Sequence, residues 1–213
     1  MSLLCNCPAG AALENIPISD CPESLGQVQK VIFQRIFSTG TTKNSFTIAT
    51  ADPKLLASWS PLLAAADGTK VVPSPYIQAP TTEPGAARTY GGGNETLGGV
   101  ELVIGREATS FTGNILRSAQ KTIKAMKNYM CENVGVYLVD EFGRIAGLVD
   151  DVTTPTKFFP IPISALFVGD KSLGGLENPD MNAVSWKFFP NWSDNLAIYT
   201  PTDFNPLTDL ANA

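Results

Sequence analysis

The 213 residues include no histidine. That absence removes the commonest general base and the Ser–His and Cys–His nucleophile pairs. It also removes every zinc site built with imidazole. Charge is scarce too: Asp, Glu, Lys and Arg make up 16% of the chain, against roughly 25% in an average soluble domain. A chain so short of charge hides more surface than a monomer does, and burial between subunits is one way to hide it. The balance is acidic, with a net charge of −5 and a pI of about 4.7. The basic footprint of ordinary nucleic-acid binding is therefore lacking overall. No run approaches the ~18 apolar residues of a membrane helix. "MSLLCNCPAG" has neither a basic n-region nor a long apolar h-region. The expectation is a protein that folds in a cytoplasm and needs no membrane.

Cysteine is sparse, with Cys5, Cys7, Cys21 and Cys131. Cys5, Cys7 and Cys21 fall in the N-terminal segment and are weak metal candidates. C-x-C with a distant third cysteine is a poor zinc signature, and the C-x2-C knuckle is absent. A disulfide is a further alternative. The plainest reading is small apolar side chains packed under an N-terminal arm. No cofactor motif accompanies them.

What is present is a β-rich pattern. Proline (16) and glycine (18) punctuate the chain and place it among loop- and strand-rich folds. Residues 1–25 read as an extended N-terminal arm, and 26–213 as a single β-rich domain. "QVQKVIFQRIF" (27–37) is rich in β-branched and aromatic residues and reads as a strand covered on both faces. "FTIATA" reads as a short second strand. "DPKLLASWSPLLAAA" (52–66) reads as a helix with Asp52 as N-cap and Pro53 at its first position, kinked or split at Pro61. Residues 73–99 show no periodicity. They exceed the roughly 12–15 residues of an ordinary loop, so they read as an inserted loop arm. "VELVIG" (100–105) is a strand. About 111–131 reads as one long packed helix, with Ile115, Ala119, Ile123, Met126 and Met130 as its apolar stripe and Gly135 just past its end. "VGVYLVDEFGRIAGLVDD" (134–151) reads as a hairpin turning at Gly143. Pro160 and Pro162 predict a sheet-edge strand. Val184, Trp186 and Phe188 alternate along another, and "NLAIYT" forms the last. The fold expected is mainly β or α+β: an antiparallel sandwich or barrel-forming sheet with a helix packed on it.

Chemical motifs are few. "YGGGNETLGGV" (90–100) nearly spells the phosphate loop G-x-x-x-x-G-K-[ST], but Gly99 stands where the lysine belongs and a strand follows instead of a helix. Its glycines read as a flexible stretch, or as sites of close backbone approach. Asp140-Glu141 and Asp150-Asp151 are the densest acidic pairs. Paired carboxylates can do acid–base work, but both pairs fall at turns or strand ends, where solvated charge is routine. No G-x-S-x-G elbow is present. The segment 111–131 holds Arg117, Lys121, Lys124 and Lys127, four of the 15 basic residues and none of the 20 acidic ones. This face is either simply solvated or meets an acidic face of a neighbouring subunit. A head-to-tail contact of that kind builds rings or stacked tubes.

The order of elements resembles that of the major tail tube proteins of tailed bacteriophages. "CPESLGQVQKVIFQRI" (21–36) and "FFPNWSDNLAIYTPTDF" (188–204) also resemble segments of structural proteins of phages of Bacteroides-type gut bacteria. The resemblance implies a virion structural protein without enzymatic activity, assembled in the host bacterial cytoplasm into the tail. It implies stacked, hexameric rings whose sheets join around a DNA-conducting lumen. Partners would be further copies of the chain and other tail proteins, and DNA would pass without specific binding. The arm 73–99 would then make inter-subunit contacts through Tyr76, Ile77, Thr81, Glu83, Arg88, Tyr90 and Gly93. Residues 1–25 would form a second contact, and Asp140, Glu141, Asp150 and Asp151 would be lumen-side acids. Within the same class stand a capsid decoration protein and a collar or head–tail connector subunit. A small carboxylate-dependent hydrolase is the enzymatic alternative.

Overall fold

A computed structural model describes Ile16 and residues 24–210. Cys5, Cys7, Cys21 and nearly all of the expected N-terminal arm lie outside the described residues. The chain runs through β1 (Val28–Arg35), a small hairpin of β2 (Phe37–Thr39) and β3 (Thr42–Lys43), and β4 (Phe46–Thr47). After α1 (Leu56–Ala64) come β5 (Val71–Pro73), β6 (Gln78–Glu83), β7 (Ala87–Gly91), β8 (Glu101–Arg106) and β9 (Thr109–Leu116). Helix α2 (Gln120–Asn128) continues as a 3-10 turn, Tyr129–Cys131. The remainder is β10 (Val134–Asp140), β11 (Ile145–Val149), β12 (Lys157–Phe159), β13 (Ile161–Ser172), β14 (Met181–Phe188) and β15 (Leu196–Tyr199).

The protein is mainly β, built on one 11-stranded sheet whose described pairings are all antiparallel. One path runs β10-β13-β14-β9-β6. On its other side β10 pairs with β1 along almost its whole length. The link between β5 and β6 then returns to β1: Ser74 N donates to Val31 O at 2.8 Å and Ile77 N to Gln29 O at 2.7 Å. The sheet therefore curls round on itself. Inside the curl lies a core that includes Val31, Phe33, Phe111, Ile115, Val136, Leu138, Val184, Trp186 and Phe188, closed by Ile123 and Met126 of α2. Phe111 stacks on Trp186 with centroids 4.0 Å apart.

A second core lies on the opposite face of β1 and β10. Ile32, Tyr137 and Val139 pack there with Ile145, Phe158, Phe46, Val71 and Trp59 of α1. Alternate residues of β1 and β10 thus enter different cores. Strands buried on both faces read as continuous apolar runs, and this is the cause of the uninterrupted "VIF" and "VGVYLV".

Several local expectations are corrected. The segment 109–116 is a strand, so the helix is confined to 120–131. Phe111, Gly113 and Ile115 point inward at period two, and this alternation prevails over the helical spacing of Ile115 with Ala119. Gly135 does follow the helical turn that ends at Cys131, but it already lies within β10, where a Cβ would lie 2.9 Å from Pro160 Cβ. Asp52 does not cap α1: its Oδ1 accepts from Lys54 N at 2.9 Å, and Leu56 N finds Asp203 Oδ1 of the C-terminal segment at 2.9 Å. The helix runs through Pro61 unsplit, anchored by buried Trp59, whose Nε1 donates to Pro53 O. Pro160 separates β12 from β13, and Pro162 lies between β10 and β14 rather than at an edge, opposite Gly135.

Candidate assembly surface

The stretch 73–99 is not one irregular arm. Its first part folds onto its own domain. Ile77 is buried in the first core and cannot reach another subunit. Tyr76 is half exposed but committed: its hydroxyl donates to Leu207 O at 3.1 Å, and Lys30 Nζ lies 4.4 Å from its ring centre. Thr81 pairs its hydroxyl with Thr112 at 2.6 Å, and Glu83 ends β6 beside Ser110. Among the described residues β6 pairs only with β9. Its outer edge is blunted by Pro80 and by a bulge at Ala79, whose φ is 48°, and both devices discourage edge pairing.

The second part leaves the domain. β7 and β8 pair only with each other among the described residues, with Thr89 opposite Val103 and Tyr90 opposite Leu102. Tyr90 is 56% exposed, and Val100, Val103 and Ile104 are similarly open. Leu97 at the tip is 101% exposed. Neighbouring strand residues face opposite ways, so Val103 and Ile104 place apolar surface on both sides of the ribbon. A lone two-stranded hairpin is marginal in water, and apolar side chains on both of its faces call for a partner.

The tip has defined structure. Thr96 Oγ1 accepts from Gly92 N at 3.1 Å and donates to Val100 O at 2.6 Å. Gly91 has a φ of 93°, and a Cβ there would lie 2.1 Å from Thr96 Cγ2. Glycine is thus required by a tight turn around Thr96, not by a phosphate. At the neck Glu107 N donates to Ala86 O at 2.9 Å, and Arg106 donates to Asn191 Oδ1. Arg88, Tyr90 and Gly93 all lie on this projecting hairpin.

The four candidate acids separate. Asp140 is 0% exposed and is not a surface group. Its carboxylate accepts from Gly26 N, Phe142 N, Arg144 N and Arg144 Nε at 2.8–3.1 Å. Glu141 is exposed at the same turn. Asp150 accepts from the Thr156 hydroxyl and from the backbone N–H groups of Lys157 and Thr156. These donors hold its pKa well below the usual carboxylate range. Asp151 is lowered by the backbone N–H groups of Thr153 and Thr154. Both carboxylates organise the loop 150–157.

Of the basic residues, Arg117 is not on the helix. It sits between β9 and α2 at a φ of 49°, its N–H donating to Asp180 O. Lys121, Lys124 and Lys127 do lie along α2, and Lys127 is paired with Asp170. Cys131 is exposed. Among the described residues, no group of three or more Cys, Asp or Glu side chains could hold a metal ion. No helix among them is long and apolar enough to cross a membrane.

No family model and no curated protein matches the chain. Among solved structures it is similar to a chain in the tail of an empty GTA particle refined with helical C6 symmetry. That likeness has a TM-score of 0.32 and 13% identity, over 59% of this chain and 82% of the other. It is also similar to a chain of the six-fold symmetrised anti-feeding prophage (AFP) baseplate, with a TM-score of 0.34 and 9% identity over 84% of this chain and 97% of the other. At these scores neither likeness carries an argument about what this chain does.

Proposed function

We propose that the chain is a virion structural protein: a tail tube subunit that assembles as stacked, six-membered rings around a DNA-conducting lumen. The observation that carries this reading is the β7–β8 hairpin, which projects with apolar side chains on both faces and no cover from its own domain. In a ring or stack that surface is buried by the next copy. The ring form and its symmetry follow the family resemblance of the sequence.

The charge distribution supports the same reading. A conduit for a polyanion must not grip phosphates, since each contact acts as a brake. The chain is acidic overall, and the exposed acids Glu141 and Asp150 are available for such a wall. The carboxylate pairs give the hydrolase alternative little support, because Asp140, Asp150 and Asp151 are all committed to their own loops and turns.

Sedimentation velocity over a concentration series tests the proposal. Wild-type protein is expected to shift from monomer to ring-sized species. Leu97→Asp/Ile104→Asp is expected to stay monomeric with an unchanged melting temperature, because neither side chain supports the domain. Equal association by wild type and variant would remove the hairpin from the interface. A wild type that stays monomeric throughout, alone and with tail-tip components, would remove the tube.

A further inference from the structure

Resting on the reading of the β7–β8 hairpin as the assembly surface, we propose that Asn191 is a positioning residue for assembly. Acting through Arg106, it holds the hairpin out from the domain at one fixed angle.

The hairpin needs such a hold. β6 and β9 form a paired ribbon that ends with Glu83 opposite Ser110, and pairing resumes with Ala87 opposite Arg106. β6–β7 and β9–β8 are thus two halves of one ribbon, broken at residues 84–86 and 107–108. Among the described residues one backbone hydrogen bond crosses the break, from Glu107 N to Ala86 O. A ribbon joined in this way can swing at its neck. At roughly 3.3 Å per residue, β8 carries the tip about 20 Å beyond the neck. A swing of about 15° then moves Leu97 by about 5 Å, against the ~0.5 Å to which a binding constellation is held.

The hold is the hydrogen bond from Arg106 to Asn191 Oδ1. Among the described residues it is the hydrogen bond that ties β7–β8 to a distant part of the chain, and Arg106 has no carboxylate in salt-bridge reach. Its acceptor stands on a firm base. Asn191 lies in the turn between β14 and β15 at a φ of 64°, a conformation that asparagine tolerates better than most side chains. Asp194 N donates to Asn191 O and Trp192 N to Phe189 O, both at 3.2 Å. Trp192 stacks on Phe188 with centroids 4.5 Å apart. Phe188 is fully buried and meets Phe111 and Trp186 edge-on. The first core therefore sets the place of Asn191, and Asn191 sets the direction of the hairpin.

The direction is one of presentation, not storage. A hairpin held in reserve would cover its apolar side chains on its own domain, whereas Leu97, Val103 and Ile104 stay open. Fixing an interface element before association lowers the ordering cost of binding. Both partners of the hydrogen bond are exposed, so it adds little to the stability of the domain.

Two substitutions isolate the role. Asn191→Gly keeps the left-handed turn and removes the acceptor. Asn191→Asp keeps an acceptor and gives Arg106 a charged partner. Backbone 15N relaxation, read in the Leu97→Asp/Ile104→Asp background, is expected to show lower order parameters across residues 87–105 with Asn191→Gly and no loss with Asn191→Asp. In the otherwise wild-type chain, Asn191→Gly is expected to raise the concentration at which ring-sized species form at least threefold, with an unchanged melting temperature. Asn191→Asp should assemble as wild type does. Arg106→Ala should match Asn191→Gly, and the pair should be no worse than either alone. Order parameters indifferent to Asn191→Gly, or assembly that is unchanged or easier, would overturn the proposal. The relaxation readout does not depend on assembly, so the two readings fail separately. Ring formation that ignores Asn191→Gly ends this inference and leaves the tube. A hairpin loosened by Asn191→Gly in a chain whose wild type never forms rings ends the tube and leaves Asn191 as the residue that positions the hairpin.

Discussion

Asp140 Oδ2 lies 2.6 Å from Arg144 Nη2 across the tight turn that joins β10 to β11, and Asp140 is wholly enclosed. The same carboxylate collects the turn amides of Phe142 and Arg144 and the N–H of Gly26 where the chain enters β1. One side chain thus ties the hairpin to the start of the first strand. Asp140→Ala leaves a guanidinium and three N–H groups without their acceptor. Breaking a buried pair in this way costs about 3–5 kcal/mol. A urea titration should show a large fall in midpoint with little change in slope. A loss below 1 kcal/mol would show that water replaces the carboxylate at little cost.

Asp150 and Asp151 make acid stability depend on one loop. Each has its folded-state pKa lowered, Asp150 mainly by the Thr156 hydroxyl and Asp151 mainly by Thr153 N–H. A lowered folded-state value contributes stability above the unfolded carboxylate value, about 3.9. That contribution is lost as pH falls from there through the lowered value. Asp150→Asn should therefore reduce the pH dependence of the melting temperature below about pH 4. Carboxylate NMR titration of Asp150 should show a midpoint below that of a model aspartate. A midpoint at or above the model value contradicts the assignment.

Gly135 is required by close approach between strands. A Cβ at this position meets the Pro160 ring at 2.9 Å and Ile161 O at 3.0 Å, and neither is a flexible side-chain end. Gly135→Ala should destabilise by about 1–3 kcal/mol, the usual cost of overpacking. An unchanged denaturation midpoint would show that β12 and β13 shift freely.

The strands were legible where burial imposes a clear pattern. "VIF" and "VGVYLV" show strands covered on both faces, and Val184, Trp186 and Phe188 show the one-sided alternation of β14. The pattern misled where two periods overlap. Ile115, Ala119, Ile123 and Met126 fit a helix, but Phe111, Gly113 and Ile115 already belong to a strand, and only Ile123 and Met126 lie on the buried face of α2. Residues 78–83 gave no strand signal because β6 is an edge strand with Pro80 and a bulge, and it buries little. The helix start at Leu56 could not be read locally, since Asp203, which satisfies its N–H, lies 147 residues away.

The assembly surface was legible only in part. A long segment ahead of Val100 stood out by length, and Tyr90 and Gly93 do lie on the projecting ribbon. Ile77 looked no different in sequence, yet the return of residues 74–77 to β1 buries it. The signal that distinguishes the two is the alternation "TYGGG…VELVI", two short strands around a glycine turn whose apolar residues find no cover. Asp140 likewise reads as one of a solvated pair, and only the position of Arg144 four residues on hints at its enclosure.

Electron microscopy of the purified full chain at high concentration, alone and with tail-tip components, tests the central claim most directly. The account predicts rings or tubes with an open central channel, and their loss in Leu97→Asp/Ile104→Asp while the domain stays folded. Dispersed single particles under every condition, from a wild type that is folded and soluble, would contradict it.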